Sequence, residues 1–92
     1  MFEHDPTDPH EVGLNAERLA AIPAYFKTSY LDTGKLPCMA TLAARNGEIA
    51  LEDYSGTMEL GAGAPIGPDT IFRIYSMTKP ITSLAAMMLF EE

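Results

Sequence analysis

The feature that most constrains this chain of 92 residues is an apolar helical segment near its end. Between Ile81 and Phe90 almost every residue is apolar or small, and Pro80 comes directly before, at a position that suits a first helical turn. A helix that is apolar on all sides is normally buried on all sides. The remaining residues are too few to surround it. We therefore expect a larger domain that continues beyond Glu92, in the same polypeptide or in a second chain.

Composition and charge narrow the possible functions. The chain is 47% hydrophobic and 21% charged, which is typical of a globular protein. Its net charge is −7, from 13 acidic and 6 basic residues, so it is a poor match to nucleic acid or to an anionic membrane surface. The longest apolar stretch, residues 84–90, is too short to span a bilayer. Cys38 is the single cysteine, so no intrachain disulfide is possible, and we predict a structural role for it.

Residues 1–14 are predicted to be an irregular lead, because Pro6 and Pro9 oppose a helix. The lead has neither a basic region nor an apolar core, so it does not look like a signal peptide. This favours a cytoplasmic protein, with export left open. The segment HDPTDPH contains possible metal ligands, but no pair has helical or strand spacing, and we predict no metal site there.

The next segment has the signals of a helix. Asn15 is a good N-cap, apolar residues recur on one face through about Thr33, and Gly34 suits the position after a helix end. Pro23 lies inside this pattern and predicts a kink. We assign this helix a structural role and expect it to cover a sheet.

That sheet is predicted from the residues that follow. Met39–Ala44 is an apolar run, Asn46-Gly47 is a strong hairpin signal, and Glu48–Tyr54 alternates. Residues 55–70 contain four glycines and two prolines and are predicted to be a surface loop. Residues 70–74 are predicted to be a short strand or an extended entry to the last helix. The order of these elements indicates an α+β fold.

Ser76 and Lys79 form an S-x-x-K pattern where the last helix begins. Side chains three residues apart on a helix are neighbours, so the lysine can reach the serine oxygen. A serine hydroxyl needs an adjacent base to act as a nucleophile, and a lysine accepts a proton only when neutral, which burial favours. The nearby residues Ile74, Met77 and Ile81 are apolar. The pattern alone also fits an N-cap serine followed by a surface lysine. We expect residues 76–79 to form a tight 3₁₀-like turn, with the regular helix beginning near Pro80.

The stretch GPDTIFRIYSMTKPITSLAAMMLFEE resembles the nucleophile segment of the class C β-lactamase-like serine hydrolases, and most closely that of the family VIII carboxylesterases. Weaker likeness continues upstream in G-K-L-P, R-N-G-E and a glycine-rich loop, so the resemblance begins near Leu14. It implies that residues 15–92 are the N-terminal segment of a β-lactamase-like domain. In such a domain an antiparallel sheet is flanked by helices.

The resemblance implies that Ser76 forms the acyl-enzyme, that Lys79 is its base partner, and that the Ser76 N–H is one oxyanion-hole donor. The family also has a tyrosine in a later Y-x-N or similar motif and a third, glycine-rich motif. Neither motif is in this sequence, since all four tyrosines precede Ser76. No metal and no cofactor are implied.

We therefore predict a serine hydrolase, most closely a carboxylesterase acting on esters of short acyl chains. A β-lactamase or a D-amino-acid peptidase is the alternative with the same machinery. A non-catalytic binding domain of the same fold is the alternative of another class. The partners predicted are a small ester or amide substrate and the remainder of the hydrolase domain.

Overall fold

The order of the elements along the chain confirms the predicted α+β class. The computed structural model describes residues 5–92, and in that part of the chain one α-helix precedes three strands and a second helix follows them. The strands form one antiparallel sheet in the order β1-β2-β3. The elements are α1 (Ala16–Phe26), β1 (Cys38–Arg45), β2 (Glu48–Glu59), β3 (Ala62–Pro65) and α2 (Thr78–Glu91).

Helix α1 begins as predicted and ends earlier. The Asn15 side chain accepts a hydrogen bond from the Arg18 N–H at 3.0 Å, which is an N-cap. The regular helix does not reach Thr33, because a wider π-helical turn, Lys27–Leu31, replaces its end. At that turn the Thr28 hydroxyl donates to two carbonyls of the preceding turn, at 3.1 and 3.2 Å. Such side-chain bonds compete with the helical ladder and bend helices.

The predicted hairpin is present, and its turn has the expected chemistry. Asn46 and Gly47 both have positive φ, 55° and 78°, as a two-residue primed turn requires. The turn sets a register in which Cys38 lies opposite Gly56, with one irregularity between Ala43 and Ala44.

The prediction of a surface loop over residues 55–70 is wrong for its first part. Strand β2 continues through Glu59, and β3 returns antiparallel to it after a turn that contains Gly61. Gly56 makes this possible, since its backbone passes so close to β1 that a Cβ atom would lie 2.3 Å from the Pro37 carbonyl oxygen. Gly56, which contributes to the loop prediction, instead allows close packing between strands.

The lead is not entirely irregular within the described residues. Pro9–Val12 form a 3₁₀ helix, and the Asp8 side chain accepts a hydrogen bond from the His10 N–H at 3.0 Å. The Thr7 N–H donates to the Ile49 carbonyl of β2 at 2.7 Å, which ties the lead to the sheet. The signal for this turn was present in Asp8-Pro9, because a capping residue followed by proline favours a helix start.

The hydrophobic core is small. Val12, Ala50 and Ile66 are the buried apolar residues of the described chain, and α1 contributes no buried side chain. We predicted that helix α1 covers the sheet. It contacts β2 but does not cover the sheet, so this prediction is wrong. The radius of gyration is 16.1 Å, compared with about 12 Å expected for a compact domain of this length.

Helix α2 presents a large apolar surface to solvent. Its large apolar side chains are exposed to between 59% and 83%, where the sequence predicts burial. No other element of the described chain covers them, and the main contacts of α2 are with the turn that precedes it. The exposed side chains are those of Ile81, Leu84, Met87, Met88, Leu89 and Phe90.

Candidate active site

Ser76 lies at the middle of a short 3₁₀ helix, Tyr75–Met77, that leads directly into α2. A tight turn before the helix is therefore present, but it spans Tyr75–Met77 and not the predicted residues 76–79, and Lys79 belongs to α2. The regular helix begins at Thr78, two residues before the predicted Pro80. Ser76 is exposed at the mouth of α2.

Lys79 reaches Ser76 across one helical turn. The Lys79 Nζ donates a hydrogen bond to the Ser76 Oγ at 3.3 Å. This is the contact that the i, i+3 spacing predicts. It brings a serine hydroxyl and a potential base to hydrogen-bond distance, and long hydrogen bonds are common between catalytic groups in structures without substrate.

The alternative of a capping serine is not supported by the geometry. Met77 is the N-cap of α2, Ile74 is the N-cap of the 3₁₀ helix, and neither helix start has a side-chain capping bond. The Ser76 hydroxyl is thus not used to satisfy a helix end. Its hydrogen bond in the described structure is the one from Lys79.

The segment before the serine is held by a small turn. The Gly67 N–H donates to the Thr70 Oγ1 at 2.9 Å, and the Thr70 N–H donates to the Gly67 carbonyl at 3.1 Å. From Thr70 to Ile74 the chain has no regular secondary structure, so the short strand that is one of the two predicted alternatives for residues 70–74 is absent. This segment borders a cleft of about 490 Å³, which is also lined by Cys38, Met58 and Ile66.

Tyr75 has an unusual backbone that the sequence does not reveal. Its φ is +48°, and Ile74 before it has φ −106° and ψ 2°. Positive φ is uncommon for a bulky residue and marks a turn or local strain. Strain of this kind clusters at functional sites, which makes Tyr75 a residue of interest beside Ser76.

The apolar residues near Lys79 do not enclose it in this structure. Met77, Ile81 and Leu84 are exposed to between 60% and 66%, so the expected burial around the lysine is not provided by the described residues. Any enclosure of the Ser76–Lys79 pair has to come from elsewhere.

The three tyrosines other than Tyr75 contact neighbouring side chains. Tyr25 and Tyr30 pack edge to face, with ring centroids 6.3 Å apart, and Phe26 joins them. The Tyr54 hydroxyl donates to the Glu52 carboxylate, and this hydrogen bond raises the pKa of Tyr54. A phenol held in its protonated form by a carboxylate is a poor base, which agrees with its assignment as a strand residue.

Residues 5–92 contain neither a metal-binding cluster nor a membrane-spanning helix. No cluster of three or more His, Cys, Asp or Glu side chains there is arranged to hold a metal ion. His4, which belongs to the HDPTDPH segment, lies outside the described residues. None of the helices in this range has the length and apolar character to cross a membrane.

Comparison with known proteins gives matches over the same region. The family model described as beta-lactamase matches residues 19–92. Esterase EstB of Burkholderia gladioli is 39% identical over 83 residues, which cover 89% of this chain and 21% of the esterase. Protein Rv1367c of Mycobacterium tuberculosis strain H37Rv is 39% identical over 61 residues, or 66% of this chain and 15% of that protein. No solved structure gives a significant match.

The matched region includes the S-x-x-K pair, the hairpin and most of α1. The chain spans about a fifth of the length of the esterase and less of the mycobacterial protein. Because the family model covers the chain from Leu19 to Glu92, well over half of its length, this chain belongs to the beta-lactamase family.

Proposed function

We propose that this chain carries the nucleophile of a serine hydrolase that forms an acyl-enzyme at Ser76. The observation that supports it most is the 3.3 Å contact between the Lys79 Nζ and the Ser76 Oγ, on a serine that caps no helix. Family membership and the likeness to an esterase support the same class of chemistry.

The position of Lys79 is hard to explain as a stabilising feature. It is the second residue of α2, where the positive end of the helix dipole disfavours a cation. A cation in a first turn is unfavourable by about 0.3–1 kcal/mol. A lysine placed there at such a cost, and in contact with a serine, is better explained by proton transfer than by helix stability.

The proposed reaction has two steps. The Ser76 Oγ attacks the ester carbonyl carbon while its proton passes to neutral Lys79, and collapse of the tetrahedral intermediate expels the alcohol, which takes up a proton. Water then attacks the acyl-serine, releases the carboxylic acid and restores the hydroxyl. The Ser76 N–H is proposed as one of the oxyanion donors.

We propose that further residues of the hydrolase domain, in the same polypeptide or in another chain, cover α2. The exposure of its apolar side chains supports this, and about four-fifths of the length of Esterase EstB lies outside the matched region. The same residues would enclose Lys79 and supply the tyrosine and the second oxyanion donor. We define the complete hydrolase as these 92 residues together with the residues that cover α2.

The proposed substrates are esters of short acyl chains, because Esterase EstB, whose match covers 89% of this chain, is named an esterase. A β-lactam or D-amino-acid peptide substrate is the second candidate, supported by the name of the family. A cytoplasmic location stays a proposal, which fractionation of the producing cells tests.

The test is turnover by the complete hydrolase. We would measure p-nitrophenyl acetate, butyrate and decanoate hydrolysis beside a chromogenic cephalosporin and a D-alanyl-D-alanine peptide. We expect the short esters to have the highest kcat/KM, and activity to disappear in Ser76→Ala but not in Ser83→Ala, a matched change on the same helix. Turnover that survives in Ser76→Ala would reject the assignment. An inactive folded protein would favour a non-catalytic binding domain.

A further inference from the structure

The backbone of Tyr75 has no local explanation of the usual kind. Two non-glycine residues of the described chain have φ above zero, Asn46 and Tyr75. Asn46 belongs to a two-residue hairpin, where positive φ is required and asparagine is favoured. Tyrosine is not a residue that favours this conformation.

The strained residue lies at a defined place in a turn. The Met77 N–H donates to the Ile74 carbonyl at 3.0 Å, so residues 74–77 form a hydrogen-bonded four-residue turn with Tyr75 at its second position. Positive φ at that position belongs to the primed turns, which are dominated by Gly, Asn and Asp. The Tyr75 side chain is 79% exposed, so packing within the described chain does not account for the tyrosine.

The turn fixes the direction of the chain one residue before the nucleophile. Ser76 is the third residue of the turn, and α2, with Lys79, follows within two residues. A change of Tyr75 to negative φ would rotate Ser76 and α2 together relative to the segment before residue 75. The Ser76–Lys79 pair would keep its internal distance of 3.3 Å, but its direction relative to residues 69–73 and the cleft that they line depends on the conformation at residue 75.

We infer that Tyr75 is a positioning residue for acyl transfer, which acts through its left-handed backbone and not through its ring. The inference rests on the proposed function of Ser76. It extends that function by assigning the placement of the Ser76–Lys79 pair, relative to the segment before it, to the residue that precedes the nucleophile.

The experiment compares Tyr75→Asn with Tyr75→Val in the complete hydrolase, with Tyr75→Phe as a conservative control. Asparagine and valine both remove the ring, but asparagine tolerates positive φ and β-branched valine does not. We would measure kcat and KM for p-nitrophenyl butyrate at a temperature where thermal melts show each variant folded. If valine prevents folding, Tyr75→Thr replaces it, because threonine is also β-branched and disfavours positive φ.

We expect Phe and Asn to stay within about threefold of the wild-type kcat and Val to lose about 10–100-fold at unchanged KM, since a misplacement of about 1 Å can cost 10²-fold. Equal kcat for Asn and Val would overturn the inference, whether both are active or both impaired. Ser76→Ala, measured in the same series, tests the proposed function separately. Activity lost in Ser76→Ala but equal in the Asn and Val variants would reject the role of Tyr75 alone.

Discussion

Replacing Gly56 by alanine probes the close contact between β2 and the start of β1. A Cβ atom at residue 56 would lie 2.3 Å from the Pro37 carbonyl oxygen and 2.7 Å from the Cys38 Cα. Both are backbone atoms, so neither can turn aside as a flexible side chain would. The φ of Gly56 is +91°, which also disfavours any residue with a Cβ.

The expected cost has two parts. A side chain at positive φ costs about 1–2 kcal/mol, and forcing an extra carbon into a tight contact costs about 1–3 kcal/mol. We therefore expect Gly56→Ala to lower the free energy of unfolding of the complete hydrolase by about 2–5 kcal/mol, out of about 5–15 kcal/mol for a typical domain.

Gly47→Ala is the matched control, because Gly47 has a similar φ of +78° with no atom within 4 Å of its Cβ position. It should show the backbone cost alone. Urea unfolding followed by circular dichroism gives both free energies, and the two variants should differ by about 1–3 kcal/mol. Equal losses would refute the steric argument and the strand register on which it depends.

Three other predictions test the site and its surroundings. Lys79→Arg should lower kcat by about 10²–10⁴-fold, because a guanidinium stays protonated and cannot act as a base, while Lys35→Arg should leave it unchanged. Near wild-type kcat in the Lys79 variant would reject the role. Cys38→Ser should keep esterase activity, since Cys38 is a half-exposed residue at the start of β1; an inactive but folded variant would contradict this. Residues 1–92 expressed alone should show no cooperative melt by circular dichroism, because each uncovered large apolar side chain of α2 forgoes about 1.5–3 kcal/mol. A sharp two-state melt would show that α2 needs no cover.

Local signals in the sequence predicted the elements whose chemistry is local. Asn15 has an N-cap side chain and caps α1, and Asn46-Gly47 encodes a primed turn and forms one. The i, i+3 spacing of Ser76 and Lys79 predicted their contact, because a helix start fixes that distance whatever surrounds it.

What the sequence did not predict depends on contacts between distant segments or on backbone strain. Strand β3 consists of Ala62–Pro65, whose small residues carry no strand propensity, and it forms because its backbone pairs with β2. The left-handed φ of Tyr75 has no signature in a tyrosine, and only the geometry of the turn reveals it. The burial expected for α2 depends on packing against other segments, which the described residues do not provide.

The central claim is that Ser76 is the residue that carries the acyl group. It is tested most directly by treating the complete hydrolase with a fluorophosphonate probe and mapping the modified peptide by mass spectrometry. The account predicts one modified residue, Ser76, with no label in Ser76→Ala and full label in Ser83→Ala. Label on another residue, or equal labelling of Ser76→Ala, would contradict it.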